Sequence, residues 1–474
     1  SRASNGVIII TTKKGTANQK PKFNYEGNVS FGTLTNRLEV LTGDQLRTYA
    51  SQLGHDEKKT QYLGTCNTDW QKEIYRVAIS TDHNFSVTGG VKNMPYRFSL
   101  GYTDQNGTIK TSNMQRVTAS LNLSPSLLDK HLNLNLNAKG MYIYNRFAPG
   151  VVSAALSMDP TMPVKGGTTC SAESDLATTD VINKYFGGYY QRVKKGAYGD
   201  PEWPYTYNAQ TTINPVASLE LTNNRANAGS FVGNFEADYK IHGFEDLHIH
   251  ANFGADYSAG KQTNYNSNML AGGNHYYGWE GTQLKSKYNL QFSAYAQYYK
   301  DFSETQHFDI MVGYESQYFT WKYDEEGCGH YQSTNTKLDA AGKPLAGTPY
   351  NVYEQHNTSD NAIQSVYGRV NWNGWNQILL TATFRADGSS RFARYDTNGK
   401  NARWGLFPSV AAAWKIKETF MKDINAINDF KLRLGYGITG QQDIGYDYYY
   451  MPAYTLSKDH NYYPVGSGTA EGEG

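Results

Sequence analysis

The chain has 474 residues and a formal net charge of +1, with 44 basic and 43 acidic side chains. This balance gives no reason to expect a nucleic acid or a strongly acidic partner. The mean hydropathy is low at -0.64, yet 14% of the residues are aromatic and 39 are tyrosines. So many rings are hard to reconcile with a disordered polar chain. A transmembrane β-barrel explains both features, because only one face of each strand touches lipid and tyrosine suits the interfacial girdles.

The chain offers no candidate for a membrane-spanning helix. Its longest aliphatic run is Val7 to Ile10, whereas a spanning helix needs roughly 18 apolar residues. The sequence begins at Ser1 without a basic and apolar export signal, so we expect a mature or truncated chain.

Alternation with a period of two is the main structural signal. Tyr96, Phe98, Leu100 and Tyr102 would point to one side of a strand, and the intervening residues to the other. Similar segments of about 9 to 15 residues recur, which is enough to cross a bilayer at a tilt. We predict about thirteen strands in chain order: 22–32, 84–91, 96–104, 113–123, 132–145, 228–241, 247–258, 284–300, 307–321, 363–372, 377–386, 404–415 and 430–439. Pro408 within the twelfth indicates a bulge or a break in the ladder.

The connections between these strands alternate in length. The even ones are mostly short: 92–95, 124–131, 242–246, 301–306, 373–376 and 416–429. The odd ones are long, with a tight Asn106-Gly107 turn as the exception: 33–83, 146–227, 259–283, 322–362 and 387–403. Bacterial barrels have short periplasmic turns and long extracellular loops. The alternative is a soluble up-and-down or multi-sheet β protein whose loop lengths happen to alternate.

Aromatic residues in the long loops are the candidate substrate-binding residues. Rings beside amide and carboxylate side chains can stack on sugars or hold apolar peptide side chains. The candidates are Tyr189, Tyr190, Trp203, Tyr205, Tyr207, Tyr276, Tyr277 and Trp279. The alternative is that these rings pack the loops against each other and fill the barrel mouth.

Other chemistry has weaker support. The GxGxxG match at 435–440 ends a strand with no helix behind it, which argues against dinucleotide binding. His248 and His250 share a strand face and are either metal ligands or solvated lumen residues. Calcium binding around 396–399 or 324–326 stays open. GxSxG, P-loop and HExxH motifs are absent, so we predict no enzyme and assign no catalytic residue, cofactor or metal.

Three cysteines, Cys66, Cys170 and Cys328, lie far apart without a CxxC pair. A disulfide between Cys170 and Cys328 in external loops and free thiols are both open.

Several segments together resemble the SusC-like (SusC/RagA) family of TonB-dependent outer-membrane transporters. Residues 1–15 (SRASNGVIIITTKKG) are similar to the end of the plug domain in that family. Further segments that look like the family are 70–76, 83–90, 96–107, 385–392 (RADGSSRF), 404–410 (WGLFPSV) and 432–440 (LRLGYGITG). The resemblance therefore covers nearly the whole chain.

The resemblance implies an all-β fold, an antiparallel transmembrane β-barrel. Residues 1–20 would be the end of the plug domain, and residues 21–474 the N-terminal part of a barrel of about 22 strands. An unclosed sheet would leave unpaired edges in lipid, so we expect the native chain to be longer on both sides.

The resemblance also implies a function in the bacterial outer membrane. Such proteins import oligosaccharides or peptides with energy from the TonB complex, reached through an N-terminal segment that is missing here, and with a SusD-like lipoprotein as partner. The alternative is a surface-exposed or secreted β-sheet adhesin or glycan-binding protein without transport activity. The sequence does not separate sugar from peptide substrates.

Overall fold

The computed structural model describes residues 15–53, 61–167, 176–195, 204–272, 278–329, 350–394, 398–420, 428–443, 445, 447, 448 and 450. The strands in this part of the chain are β1 (Lys22–Gly32), β2 (Ala78–Val91), β3 (Met94–Asn106), β4 (Asn113–Leu123), β5 (Ser126–Leu127), β6 (Leu132–Phe147), β7 (Val193–Lys195), β8 (Tyr205–Tyr207), β9 (Asn224–Lys240), β10 (Leu247–Asn266), β11 (Trp279–Ser303), β12 (Gln306–Gly329), β13 (Tyr350–Gly374), β14 (Ile378–Ser389), β15 (Trp404–Leu406), β16 (Ser409–Lys415) and β17 (Lys431–Gly437).

One large antiparallel sheet contains fifteen of these strands. Thirteen of them form a continuous path in the order β1-β2-β3-β4-β6-β9-β10-β11-β12-β13-β14-β16-β17, and the short strands β5 and β15 pair at its margin. Each of the thirteen corresponds to a predicted strand, and β1 and β4 have the predicted bounds. The predicted all-β antiparallel fold is therefore confirmed.

The sheet has an apolar outer face and a polar inner face. Phe235, Phe253 and Phe292 are direct neighbours on β9, β10 and β11, and they are 42%, 47% and 42% exposed. The next residues along β10, Asn252 and Gly254, face the other way. Rows of exposed rings are what lipid contact requires of one barrel face.

Strands β10 to β13 are longer than predicted. β10 ends at Asn266 and β11 begins at Trp279. β12 ends at Gly329 and β13 begins at Tyr350. The predicted loops 259–283 and 322–362 were therefore too long. Outward side chains become polar at Lys261 and Thr263, so the alternating signal ends while backbone pairing continues.

The Asn106-Gly107 turn was also predicted wrongly. The loop contains the six residues 107–112, and Arg76 from the preceding connection holds it. The guanidinium donates to the Gly107 carbonyl at 3.1 Å, to the Ser112 carbonyl at 2.7 Å and to Asn106 Oδ1 at 3.1 Å. The loop is thus held by a residue 30 positions away in the chain and is wider than the tight turn that the Asn-Gly pair predicts.

Two other local predictions can be compared with the structure. The predicted strand 404–415 is divided into β15 and β16 at Phe407 and Pro408. The register against β14 is the same on both sides, and Phe407 still exchanges two backbone hydrogen bonds with Arg385, so the interruption is confined to Pro408. At the short turn between β13 and β14, Trp375 and Asn376 have φ values of 54° and 56°. Two successive positive φ values are typical of the hairpin turn whose twist matches that of the strands.

Short helices occupy the connections. The helices of the described residues are α1 (Gly43–Gln52), α2 (Trp70–Ile74), α3 (Val152–Ser157), α4 (Thr179–Tyr185), α5 (Pro215–Leu221) and α6 (Ile416–Phe420). Thr42 and Gln45 form a capping box at the start of α1, which satisfies amide groups that would otherwise lack partners. In the described residues, no helix has the length and apolar character that a membrane span demands.

Buried apolar side chains gather among the loops. We call this group the loop cluster; it packs parts of the 33–77, 148–223 and 267–278 connections together. Its buried members are Trp70, Ile74, Val151, Ala155, Met158, Met162, Ala177, Val181, Ile182, Tyr185, Phe186, Tyr190, Val193, Leu219 and Ala271. The predicted extracellular loops therefore form a packed body above the sheet.

Cys66 is disulfide-bonded. The chain has three cysteines, so a bond that includes Cys66 excludes one between Cys170 and Cys328.

Candidate functional site

A cavity of about 430 Å³ opens on the inner face of the sheet near the predicted extracellular end. Its floor consists of small residues on β9 and β10: Ala226, Ala228, Ser230, Ser258 and Gly260. A Cβ atom added at Gly260 would lie 3.2 Å from the Asn227 carbonyl oxygen and 3.3 Å from the Ala228 Cβ. The small side chains therefore create the depression between the taller walls on either side.

Aromatic residues form one wall of this cavity and its margin. Trp321 lines it, and the ring of Tyr323, two residues along β12 and thus on the same face, lies parallel at an interplanar angle of 6° with 6.3 Å between centroids. The Lys285 Nζ lies 5.0 Å from the centre of the Tyr323 ring. Trp321 is 42% exposed, so its indole offers free surface to a ligand.

Polar side chains on β10, β11 and β12 surround the Trp321 and Tyr323 rings. Asp256 receives a hydrogen bond from Asn289 Nδ2 at 3.0 Å and lies 3.6 Å from Lys287 Nζ. The amide of Gln283 donates to Glu325 at 2.6 Å. Carboxylate, amide and ammonium groups beside exposed aromatic rings are the combination that binds sugar hydroxyls while a ring stacks on the sugar face.

A second polar group lies on the inner face of the next strands. Arg385 donates to Glu315 and to Asp387, each at 2.6 Å, and its guanidinium lies 5.3 Å from the centre of the Tyr367 ring. These three charged side chains are only 14% to 16% exposed. Within the 385–392 segment, Arg385 and Asp387 therefore stabilise the wall by pairing charges across β12 and β14.

Nearby, Arg391 extends this network into the loops. Its guanidinium donates to Asp443 at 2.9 Å and to the buried carboxylate of Asp447. Asp447 also accepts from Ser359 on β13. The 385–392 segment therefore fastens the connection after β14 to the connection after β17.

Three of the predicted loop residues lie in the loop cluster or pack against it. Tyr190 is fully buried there, and Tyr205 and Tyr207 pack against it from β8. The Tyr205 ring lies 5.7 Å from that of Tyr185. Asn214 fixes the same region, because its side chain donates to the carbonyls of Val164 and Tyr190 and caps α5.

Tyr189 and Trp279 are placed differently from these three. Tyr189 is half-buried beside Lys165, whose Nζ lies 5.5 Å from the ring centre. Burial raises the pKa of the Tyr189 hydroxyl above its ordinary value, and the charge of Glu220 raises it further. Trp279 begins β11 and shares the inner face with Gln283, four residues along the strand. Trp203, Tyr276 and Tyr277 lie outside the described residues.

Trp321 and Tyr323 are site residues that the sequence pattern did not identify. Trp321 was the last residue of a predicted strand and Tyr323 stood in a predicted loop. The available signal was the alternation of large rings with Lys322 and Asp324 between them, which indicates a strand that continues with its rings on one face.

Two of the three remaining ligand hypotheses fall on residues that the structure describes. His248 and His250 both face Asp238, with Nδ1 atoms 3.6 Å and 3.8 Å from its carboxylate oxygens. In the part of the chain that the structure describes, no three His, Cys, Asp or Glu side chains are grouped to hold a metal. Asp324, Glu325 and Glu326 lie within β12 and not at a loop tip, while the calcium-like segment that starts at Asp396 includes residues outside the described part.

Solved structures share this architecture. The chain aligns with the RagAB peptide importer in its open-open state at a TM-score of 0.70 and 19% identity, covering 99% of this chain and 52% of that one. A second RagAB structure, described as a peptide transporter, aligns at a TM-score of 0.69 and 18% identity, covering 97% of this chain and 52% of that one. At these identities the likeness shows the fold, which is that of an outer-membrane β-barrel wall.

Sequence comparison defines the family. The TonB-dependent receptor SusC of Bacteroides thetaiotaomicron is 46% identical over 470 residues, covering 98% of this chain and 44% of that protein. The TonB-dependent receptor P3 of Formosa agariphila is 28% identical over 468 residues, covering 98% and 42%. No family model matches the chain. The chain belongs to the SusC-like TonB-dependent receptors of the bacterial outer membrane, and it spans less than half the length of these relatives.

Proposed function

We propose that this chain forms part of the wall of a TonB-dependent transporter that imports oligosaccharides across the outer membrane. The observation that carries the proposal is the inner-face cavity, where an exposed Trp321 ring lies beside the amide of Gln283 and the ammonium group of Lys287, which in turn contact the carboxylates of Glu325 and Asp256. A sugar ring can stack on the indole while its hydroxyls bind the polar side chains. The 46% identity to SusC supports transport over an adhesin or a glycan-binding protein without transport activity.

In this proposal residues 1–20 end a plug domain and residues 21–474 build the wall. Two contacts support the boundary: the Asn18 amide donates to the Lys92 carbonyl at 3.1 Å, and Gly90 donates to the Gln19 carbonyl at 2.9 Å. Lys92 lies in the tight turn between β2 and β3, at the predicted periplasmic end. The chain thus enters the sheet from the side where a plug would connect to the TonB complex.

A SusD-like surface lipoprotein is the proposed partner, and the loop cluster is the surface that such a partner would meet. Among the predicted loop residues, Trp279 and Tyr189 keep a role in ligand contact in this proposal. Tyr190, Tyr205 and Tyr207 act indirectly, because they keep the loops in one shape above the cavity. Trp203, Tyr276 and Tyr277 lie outside the described residues, and their role in ligand contact stays a prediction.

The test measures ligand binding by calorimetry on the transporter purified from outer membranes. A panel of neutral oligosaccharides is compared with a panel of peptides, using Trp321→Ala and the outward-facing Trp414→Ala as its control. We expect an oligosaccharide to bind about tenfold more weakly to Trp321→Ala and equally well to the control. Deletion of the gene should abolish growth on that oligosaccharide while growth on its monosaccharide continues.

Binding of peptides alone would reject the sugar substrate and favour the activity that the name of RagAB describes. Equal loss in both tryptophan variants would reject the cavity as the binding site. Normal growth of the deletion strain on every oligosaccharide that binds would reject import.

A further inference from the structure

A second cavity, of about 330 Å³, lies on the outer face of the same strands. Its outward-facing floor is made of Gly229, Ala259 and Ser286, with Tyr142 and Leu284 on opposite sides. These five residues are neighbours on four adjacent strands, β6, β9, β10 and β11. The depression is therefore a gap in the row of large side chains that otherwise covers this face.

The outward residues of β10 indicate the position of the cavity along the membrane normal. Ile249, Phe253 and Tyr257 are exposed apolar or aromatic side chains, and the next large outward side chain is Lys261. Four residues of a strand tilted by about 40° rise about 10 Å. Lys261 therefore lies at the level of lipid headgroups in the outer leaflet, just above the aromatic band.

Basic side chains concentrate above the cavity. Arg146 on β6 and Arg225 on β9 are direct cross-strand partners, an arrangement of like charges that is unfavourable without an anion between them. Lys261 pairs with Asn227, two residues along β9 from Arg225 and on the same face. Among the described residues, none of these three cations has a carboxylate within ion-pair distance; Arg225 donates to Asn223 Oδ1 at 2.7 Å.

The acidic groups of this face lie on other strands. Asp324 also lines the cavity, but His356 Nδ1 lies 2.8 Å from its carboxylate, and Glu354 is 2.7 Å from the other ring nitrogen. These three residues are on β12 and β13, whereas the cations are on β6, β9 and β10. Glu280 on β11, which pairs with Tyr265, and Glu326 on β12 also face outward. The outer face thus presents basic side chains on β6, β9 and β10 beside acidic side chains on β11 to β13.

We propose that the outer cavity and its basic side chains bind the phosphate-bearing headgroup of an outer-leaflet lipid. Arginine offers a planar pair of donors that matches a phosphate, and a lysine adds a third positive charge. The small floor leaves room for the headgroup, and an acyl chain can continue down over the exposed Tyr257 and Tyr288 rings. An anion between Arg146 and Arg225 also removes their mutual repulsion.

The test uses native mass spectrometry of the detergent-purified transporter after removal of bound lipid. The probes are a phosphorylated lipid A, the same lipid after enzymatic dephosphorylation, and inorganic phosphate alone. We expect the phosphorylated lipid to bind at least about tenfold more tightly than either other probe. The Arg146→Gln, Arg225→Gln and Lys261→Gln triple variant should lose this preference.

Two further variants control the charge and the fold. Lys139→Gln removes a positive charge from the inner face of β6, and it should bind the lipid normally. The double variant Arg146→Lys with Arg225→Lys keeps the positive charge and should retain most of the preference for the phosphorylated lipid. It provides the test if the triple variant fails to assemble. Equal binding of phosphorylated and dephosphorylated lipid would overturn the proposal, as would unchanged lipid binding in the triple variant or an equal loss in Lys139→Gln.

Discussion

The loop cluster and the sheet use aromatic residues in opposite ways. Phe186 in the cluster is 1% exposed, whereas Phe253 on the outer face of β10 is 47% exposed. The cluster is stabilised as a water-soluble protein is, by removing rings from water. The sheet instead presents its rings to lipid and relies on its backbone ladder and polar inner face. The chain therefore has one region that folds in water and one that folds in lipid. Aromatic rings are buried in the first region and exposed in the second.

The largest expected effect contrasts one substitution in the two regions. Phe186→Ala should destabilise the loop cluster by about 3–5 kcal/mol, because it leaves a cavity among buried side chains. Phe253→Ala should change stability far less, since lipid fills the space that the ring leaves. Hydrogen exchange of α4 and the neighbouring loops measures the first effect, and the heat-modified gel mobility of the barrel measures the second. Equal destabilisation of both regions would break the comparison.

A charge on the outer face should have a somewhat smaller effect. Phe253→Lys places an ammonium group in the apolar band, and we expect a cost of about 2–4 kcal/mol near the bilayer midplane. His250→Lys is the matched control, because that side chain faces inward beside Asp238 at 3.8 Å. Urea unfolding of the protein in lipid vesicles compares the two. Similar costs for both variants would mean that the two faces do not meet different solvents.

The smallest expected effect concerns the loop between β3 and β4. Arg76→Gln removes the hydrogen bonds from the guanidinium to Gly107 and Ser112, and we expect a local loss of about 1–3 kcal/mol. Trypsin should then cut faster after Lys110, which lies in this loop. Arg116→Gln, which loses one bond to Thr103 at 3.2 Å, should leave the rate of cutting nearly unchanged. An unchanged rate in Arg76→Gln would show that the Asn-Gly sequence alone determines the loop.

The strand predictions succeeded where alternation is strong. β1 and β4 have the predicted bounds because every second side chain of these strands meets lipid. The extracellular halves of β10 to β13 were not predicted because the outward positions there are polar. Backbone pairing continues without an alternation of apolar and polar side chains, so the sequence pattern does not indicate a strand.

The candidate site also combines residues that the sequence indicates with residues that only the structure identifies. Loop aromatics such as Tyr190 stood out by composition, and the structure buries that ring in the loop cluster. The inner cavity depends on Trp321, Ser258 and Ala228, which come from three strands and meet only through the register of the sheet. Spacing within a strand cannot reveal such a set, because its members are far apart in the chain.

The class of fold, the number of main strands and the alternation of short and long connections can be predicted from the amino-acid sequence. These follow from local rules, since each side chain's face depends only on its position along the strand. The tertiary structure alone decided which loop rings are buried, how Arg76 holds a distant turn and where the cavities open. Those features depend on contacts between residues remote in the chain, which the ladder register and the packing of the loop cluster bring together.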